Sequence, residues 1–200
     1  MLLYDSLKAI VNGSARVLWR ARATGVENVP RDGPLIIACN HISYLDPPVM
    51  GSFVPRRINY MAKAELFEIP VLGPLIRAVG AYPVDRKGSA KAAIKRSVEV
   101  LRGGGVIGIF PEGTRNAGGD AEPRKGAAVL SSLTGAPVVP ACIVGSDRAR
   151  QFGQIKVAFG PPLRLPEGRK ATHDDVAKFT DEIMRAIRAL AGSMGADSKG

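Results

Sequence analysis

PLIIACNHISYLDPP, residues 34–48, decides how the rest of the chain is read. Its first six residues are an apolar run of strand length. Its end, Asp46-Pro47-Pro48, reads as a helix start, with aspartate at the N-cap and proline at the first helical position, where a missing N–H costs nothing. The residues between, which include His41, therefore form a loop leaving the C-terminal end of a buried strand. In open α/β sheets that edge is where ligands bind.

The same alternation continues outward. Apolar runs recur at INYMA (58–62), VIGIF (106–110), VVPACIV (138–144) and IKVAF (155–159), with helical patterns between them. SAKAAIKRSVEVLRGGG reads as a helix capped by Ser89, with Ile94, Val98 and Leu101 on one face and glycine at its end. The last helix runs from about Asp174 to Ala191, acidic in its first turn and arginine-bearing in its last, as the helix dipole favours. The fold class is α/β: a single domain with a mixed, largely parallel central sheet flanked by helices, plus an N-terminal amphipathic helix. Two hundred residues, 46% of them apolar, suffice for one such core and not for two. The expected organisation is a membrane-contacting helical element over residues 1–24, the α/β domain over 25–192 and a disordered tail over 193–200.

Residues 126–146 (GAAVLSSLTGAPVVPACIVGS) carry no charge over a length that could cross a bilayer. Gly135, Pro137 and Pro140 divide them into a short buried helix, a turn and a buried strand, so no transmembrane helix is expected. Over residues 2–19, Leu3, Leu7, Ile10, Val11, Val17 and Leu18 gather on one side of a helix, and Asp5, Lys8, Asn12 and Arg16 on the other. Two readings stand: the apolar face packs on the protein's own domain, or it lies on a membrane, with Trp19, Arg20 and Arg22 at its end. The polar residues interrupt any secretory h-region, and Cys39 and Cys142 show neither metal-ligand nor disulfide spacing; a cytoplasmic location follows as the expectation.

The net charge of +10 points to an anionic partner: nucleic acid, anionic lipid or a phosphorylated small molecule. Residues 1–100 carry 14 basic and 8 acidic side chains and residues 101–200 carry 14 and 10, so the excess forms no tail. Few aromatics and no zinc-finger spacing argue against nucleic acid.

A histidine oriented by a carboxylate is the usual general base near neutral pH, and a bent loop can bring Asp46 to His41. H-x-x-x-x-D alone is unspecific, since Asp46 could simply cap its helix. VIGIF, however, runs directly into PEGTR, so Glu112 and Arg115 emerge from the end of another buried strand toward the same cleft. Arg86 and Lys87 precede the helix at Ser89, and Lys125 precedes another; cations beside free N–H groups make anion sites. Gly103, Gly105 and Gly108 spell G-x-G-x-x-G, but a helix precedes and a strand follows, the reverse of the dinucleotide fingerprint, so they are assigned to turn geometry. Ser43 and Cys39 have no particular geometry that would make them nucleophiles beside His41.

In this order, NHISYLD, GAYPVDR, FPEGTR and APVVPACIVG resemble the four blocks of the glycerolipid acyltransferases, and MAKAELFEIPVLGPLIRAVG between the first two is similar as well; the likeness covers about residues 25–165. The resemblance implies transfer of an acyl group from acyl-CoA or acyl carrier protein to a glycerol-phosphate hydroxyl, most often that of 1-acylglycerol-3-phosphate (lysophosphatidate), at the cytoplasmic membrane face. By position it makes His41 the base and Asp46 its orienting partner. It places Arg86, Glu112, Gly113 and Arg115 around the acceptor phosphate and glycerol, with Lys63 adding positive charge. It implies no metal and no cofactor beyond the acyl donor. Tyr82-Pro83 stands where the family's second block more often has phenylalanine and an aliphatic residue. Glycerol-3-phosphate or another lyso-lipid as acceptor, and a non-catalytic basic module bound to membrane lipid, remain the alternatives.

Overall fold

Every residue of Leu35–Cys39 is buried, because this strand lies at the middle of a seven-stranded sheet. A computed structural model describes residues 2–84, 90–113, 123–166 and 171–196. In chain order the strands are β1 (Arg22–Thr24), β2 (Leu35–Cys39), β3 (Ile58–Lys63), β4 (Tyr82–Val84), β5 (Val106–Ile109), β6 (Val138–Val144) and β7 (Lys156–Phe159). Across the sheet they run β1-β7-β6-β2-β5-β3-β4, and only β6 and β7 are antiparallel. The helices are α1 (Leu2–Leu18), α2 (Asp46–Phe53), α3 (Leu72–Ala78), α4 (Ala90–Arg102), α5 (Gly126–Thr134) and α6 (His173–Ala196). The mixed, largely parallel α/β architecture read from the sequence is the one observed.

Alternation along β2 divides the core in two. Leu35, Ile37 and Cys39 meet Ala15 of α1 and Val49, Met50 and Phe53 of α2. Ile36 and Ala38 meet Leu101, Leu130, Phe179 and Ile183 from α4, α5 and α6. A strand covered on both faces reads as an unbroken apolar run, which is why β2, β5 and β6 were visible in the sequence. β1 and β4 were not: each has three residues and lies at a sheet edge, where Pro83 is tolerated because no neighbour needs its N–H.

Residues 126–146 fold as expected, with α5, a left-handed Gly135 at φ 69° and then β6. Among the described residues no helix is long and apolar enough to cross a membrane. Three details depart from expectation. α6 continues to Ala196, with Met194 buried and its carbonyl bonded by the Lys156 ammonium at 3.2 Å. On α4 the inward face carries Leu101 and Ser97, whose hydroxyl meets that of Tyr82 at 2.7 Å, while Ile94 is exposed; Ser89 lies outside the described residues. Gly108 belongs to β5 rather than to a turn, and a Cβ there would stand 2.4 Å from the Tyr60 ring.

α1 docks by a mixed side, with Asp5 and Arg16 exposed and Leu7 and Val11 half-buried. Tyr4, Lys8, Asn12 and Ala15 face the domain: the Lys8 ammonium donates to the Val54 carbonyl, Asn12 donates to the Ser52 carbonyl at 3.2 Å, and Ile58 N–H donates to the Tyr4 hydroxyl at 3.3 Å. Leu3, Ile10, Val17 and Leu18 are left exposed, Val17 to 79%. The helix does pack on its own domain, with Ala15 in the core and Leu7 and Val11 half-buried, but much of its apolar face stays outside; carbonyls at the end of α2 need donors, and Lys8 and Asn12 supply them.

Candidate active site

The parallel register aligns the chemistry. Ala38 of β2 is level with Ile109 of β5, so His41 and Glu112, three residues further along each strand, emerge side by side. His41 N–H donates to Glu112 Oε2 at 3.2 Å. Tyr60 of β3 is level with Gly108, which brings Lys63 to the row of Pro111 on the same edge; its side chain is exposed.

Asp46 is fully buried and makes four polar contacts. Its Oδ2 accepts the N–H groups of Ile42 and Ser43, each at 2.7 Å, and faces His41 Nδ1 at 2.9 Å; its Oδ1 accepts the Ser146 hydroxyl at 2.5 Å. The aspartate is not the N-cap, as the sequence had indicated: Leu45 holds that position, and α2 starts at Asp46 itself. The carboxylate turns back into its own loop because the loop N–H groups and His41 need an acceptor there. A buried charge met by this many donors is tolerable, whereas an unpaired one would not be.

Phe110 and Tyr60 fix the imidazole from the side. His41 stacks on Phe110 with ring centres 4.2 Å apart and planes 26° apart. Tyr60 lies beyond Phe110 at 6.2 Å and donates its hydroxyl to the Pro47 carbonyl at 2.9 Å. Gly51 and Gly108 leave room for the tyrosine: an added Cβ would approach its hydroxyl to 2.9 Å and its ring to 2.4 Å respectively. Asn40 extends the β2–β6 pairing past the last strand residue, donating to Ile143 O at 2.9 Å and accepting Ile143 N–H at 2.8 Å.

In the neutral tautomer that donates Nδ1–H to Asp46, Nε2 presents a lone pair; 18% of the His41 side chain is exposed. Glu112 is half-buried; burial raises its carboxyl above the ordinary range, opposed by the bond from His41 N–H. Gly113 has φ 69°, and a Cβ on it would lie 2.4 Å from Nε of Arg124. Arg86 and Arg115 lie outside the described residues. Burial drives the Cys39 thiol well up and that of Cys142 to about 12, so neither is a thiolate near neutral pH. Among the described residues, no group of three or more His, Cys, Asp and Glu could hold a metal ion.

Residues 20–144 match the acyltransferase family. The chain belongs to that family. Similar proteins include the 1-acyl-sn-glycerol-3-phosphate acyltransferase of Bacillus subtilis, 32% identical over 169 residues that cover 82% of this chain and 84% of that protein. The one of Borreliella burgdorferi is 35% identical over 127 residues, covering 62% of this chain and 51% of that protein. The crystal structure of the 1-acyl-sn-glycerophosphate (LPA) acyltransferase from Thermotoga maritima shares the fold, with a TM-score of 0.76 and 24% identity over 96% of this chain and 79% of that one. This acyltransferase thus carries its histidine and aspartate on a shared scaffold. Asn40, Tyr60, Phe110, Arg124 and Ser146 complete the surroundings and were not singled out from sequence. The one available signal was a glycine inside an apolar strand, Gly108, which marks a close approach.

Proposed function

We propose that this acyltransferase moves a fatty acyl group from acyl-CoA or acyl carrier protein to the sn-2 hydroxyl of 1-acylglycerol-3-phosphate, giving phosphatidic acid. The observation that carries the reading is the His41–Asp46 pair, whose carboxylate is fixed by two loop N–H groups and the Ser146 hydroxyl. Nε2 of His41 takes the acceptor hydroxyl's proton as that oxygen attacks the thioester carbonyl carbon, and a tetrahedral oxyanion forms. Its collapse breaks the C–S bond, and the imidazolium returns the proton to the departing thiolate. Asp46 holds the reactive tautomer and stabilises the imidazolium. Arg86 and Arg115 bind the acceptor phosphate, Lys63 adds positive charge at the same edge, and Glu112 and Gly113 shape the floor beneath the glycerol. Glu112 repels a phosphate, so it orients an arginine or accepts a bond from the glycerol.

The protein works peripherally at the cytoplasmic face of the membrane. The support is α1, which is held by Tyr4, Lys8 and Asn12 and turns Leu3, Ile10, Val17 and Leu18 outward. Purified protein with acyl-CoA and lysophosphatidate, followed by thiol release, tests the reaction. A panel of acceptors with one donor separates lysophosphatidate from glycerol-3-phosphate and other lyso-lipids. No thiol release with any phosphorylated acceptor would end the proposal.

A further inference from the structure

Eight residues after the 3-10 turn at Ala64–Phe67, from Ile69 to Ile76 (IPVLGPLI), carry no charge, yet Ile69, Pro70, Val71, Pro74 and Leu75 are exposed. Val71 is the extreme, at 81% exposed. It also has φ 68° and ψ −48°, and Leu72 N–H bonds to the Pro70 carbonyl at 2.8 Å. That is a γ-turn with positive φ at its centre, a rare and strained conformation, and for a β-branched residue a true outlier. Strain of this kind persists where the surroundings over-determine it, and here they do. Gly73 sits so close to Phe67 that a Cβ would approach its carbonyl oxygen to 2.2 Å. Gly73 N–H bonds to Ile69 O at 2.8 Å, and the Arg77 guanidinium covers the Phe67 ring at 5.1 Å. The base of the segment is locked, and its tip is apolar, strained and in water.

Building on the proposed membrane location, we propose that Ile69–Leu75 is a second membrane-inserting element, a rigid wedge that enters the interfacial layer of the bilayer beside the active site. Three observations favour a lipid surface as the occupant. The segment follows the C-terminal end of β3 by way of the turn Ala64–Phe67, and that end lies on the edge where His41 and Glu112 emerge. The end of α3 is tied to the first turns of α1, whose Leu3 is exposed: Arg57 lies over the Tyr4 ring at 5.2 Å and donates to the Ala78 carbonyl at 3.4 Å. Glu65, Glu68 and Arg77 flank its base, so charge stays at headgroup level while the uncharged tip projects beyond it.

The test uses the full chain and vesicles of phosphatidylglycerol with phosphatidylcholine. The double substitution Val71→Asp with Leu75→Asp should weaken vesicle binding by about tenfold or more, given the apolar surface it withholds and the charge it adds. Turnover of a short-chain, monomeric lysophosphatidate should change by less than about twofold, because neither residue lies in the reacting constellation. Val71→Gly, which suits the positive φ, should raise the thermal midpoint and still weaken vesicle binding. Parent-like binding by the aspartate variant would overturn the wedge alone. Absence of binding by the parent would remove both the wedge and the membrane reading beneath it. A parent dimer that the aspartate variant dissociates, with vesicle binding unchanged, would assign the surface to self-association and overturn the wedge.

Discussion

Asp46→Asn separates the aspartate's charge from its geometry. The amide oxygen can replace Oδ2 and keep the bonds from Ile42 N–H, Ser43 N–H and His41 Nδ1–H, while the amide N–H₂ donates to the Ser146 oxygen in place of accepting from it. Two backbone donors at 2.7 Å thus hold the oxygen on the histidine side, so the correct tautomer survives. What is lost is the charge assistance, roughly 1.5–3 kcal/mol, or about 10- to 150-fold in turnover. That is smaller than the loss of about 10²–10⁴ expected for His41→Ala, the usual worth of a positioned base. Asp46→Ala should behave differently, orphaning two backbone N–H groups and one hydroxyl at roughly 1–3 kcal/mol each and approaching the limit of a domain's stability. Turnover is read by thiol release from acyl-CoA and folding by thermal unfolding, in a cycle of His41→Ala, Asp46→Asn and the double variant. If Asp46 acts through His41, Asn costs nothing further once His41 is gone. Fully additive losses, or Asp46→Asn as active as the parent, would refute the assignment.

Other consequences are open to measurement. Cys39→Ala should retain most of its turnover at a stability cost of about 1 kcal/mol, since the thiol is buried and held protonated; complete inactivation would argue for a covalent acyl-thioester. Glu112→Gln keeps an acceptor for His41 N–H. Because burial raises the Glu112 carboxyl in the folded state, the penalty for ionising it is absent below the unfolded value of roughly 4.3 and complete above the folded one. The variant should therefore gain stability relative to the parent as pH rises from 4 to 7, and a relative loss over that range would contradict this. Arg86→Ala or Arg115→Ala should cost roughly 10- to 150-fold in acceptor kcat/KM with far less change in donor KM, and lysine should rescue only partly; equal loss for both substrates would remove the phosphate role. Ile10→Ser with Val17→Ser should shift stability by less than about 0.5 kcal/mol per site yet reduce binding to anionic vesicles, and unfolding would show that this face is packed after all.

Most of the sheet was legible because burial on both faces leaves an unbroken apolar signature in Leu35–Cys39, Val106–Ile109 and Val138–Val144. The His41–Asp46 pair was legible because both residues leave one strand in one loop. The support around them was not. Ser146 is a hundred positions from its partner Asp46, and no local pattern announces that contact. Phe110 and Tyr60 read as ordinary strand residues until the register brings them beside His41. The helix start was misplaced by one residue because Asp-Pro-Pro satisfies the capping pattern whether the carboxylate faces its helix or its loop. Here the loop offers two N–H groups and an imidazole, and the loop wins.

α2 joins the two halves of the proposed activity. Its first residue, Asp46, bonds the His41 imidazole, and the carbonyls at its other end, on Ser52 and Val54, accept donors by which α1 docks. Lys8 is suited to that end, since a cation near a helix C-terminus meets the negative end of the dipole; burial lowers its own ammonium pKa, which fits a group drawn out of water to make the contact. Eight residues of helix span about 12 Å, so α2 acts as a short rigid spacer between the catalytic pair and the helix whose apolar side is turned outward. A lysophosphatidate that keeps its acyl chain among the lipids has only its glycerol phosphate to raise toward the protein, and that reach is itself short. The docking of α1 through Lys8 and Asn12 therefore fits the reaction proposed: a helix held by Leu3, Ile10 and Val17 would bury the proposed membrane contact, on which access of His41 to a substrate kept in the bilayer would depend.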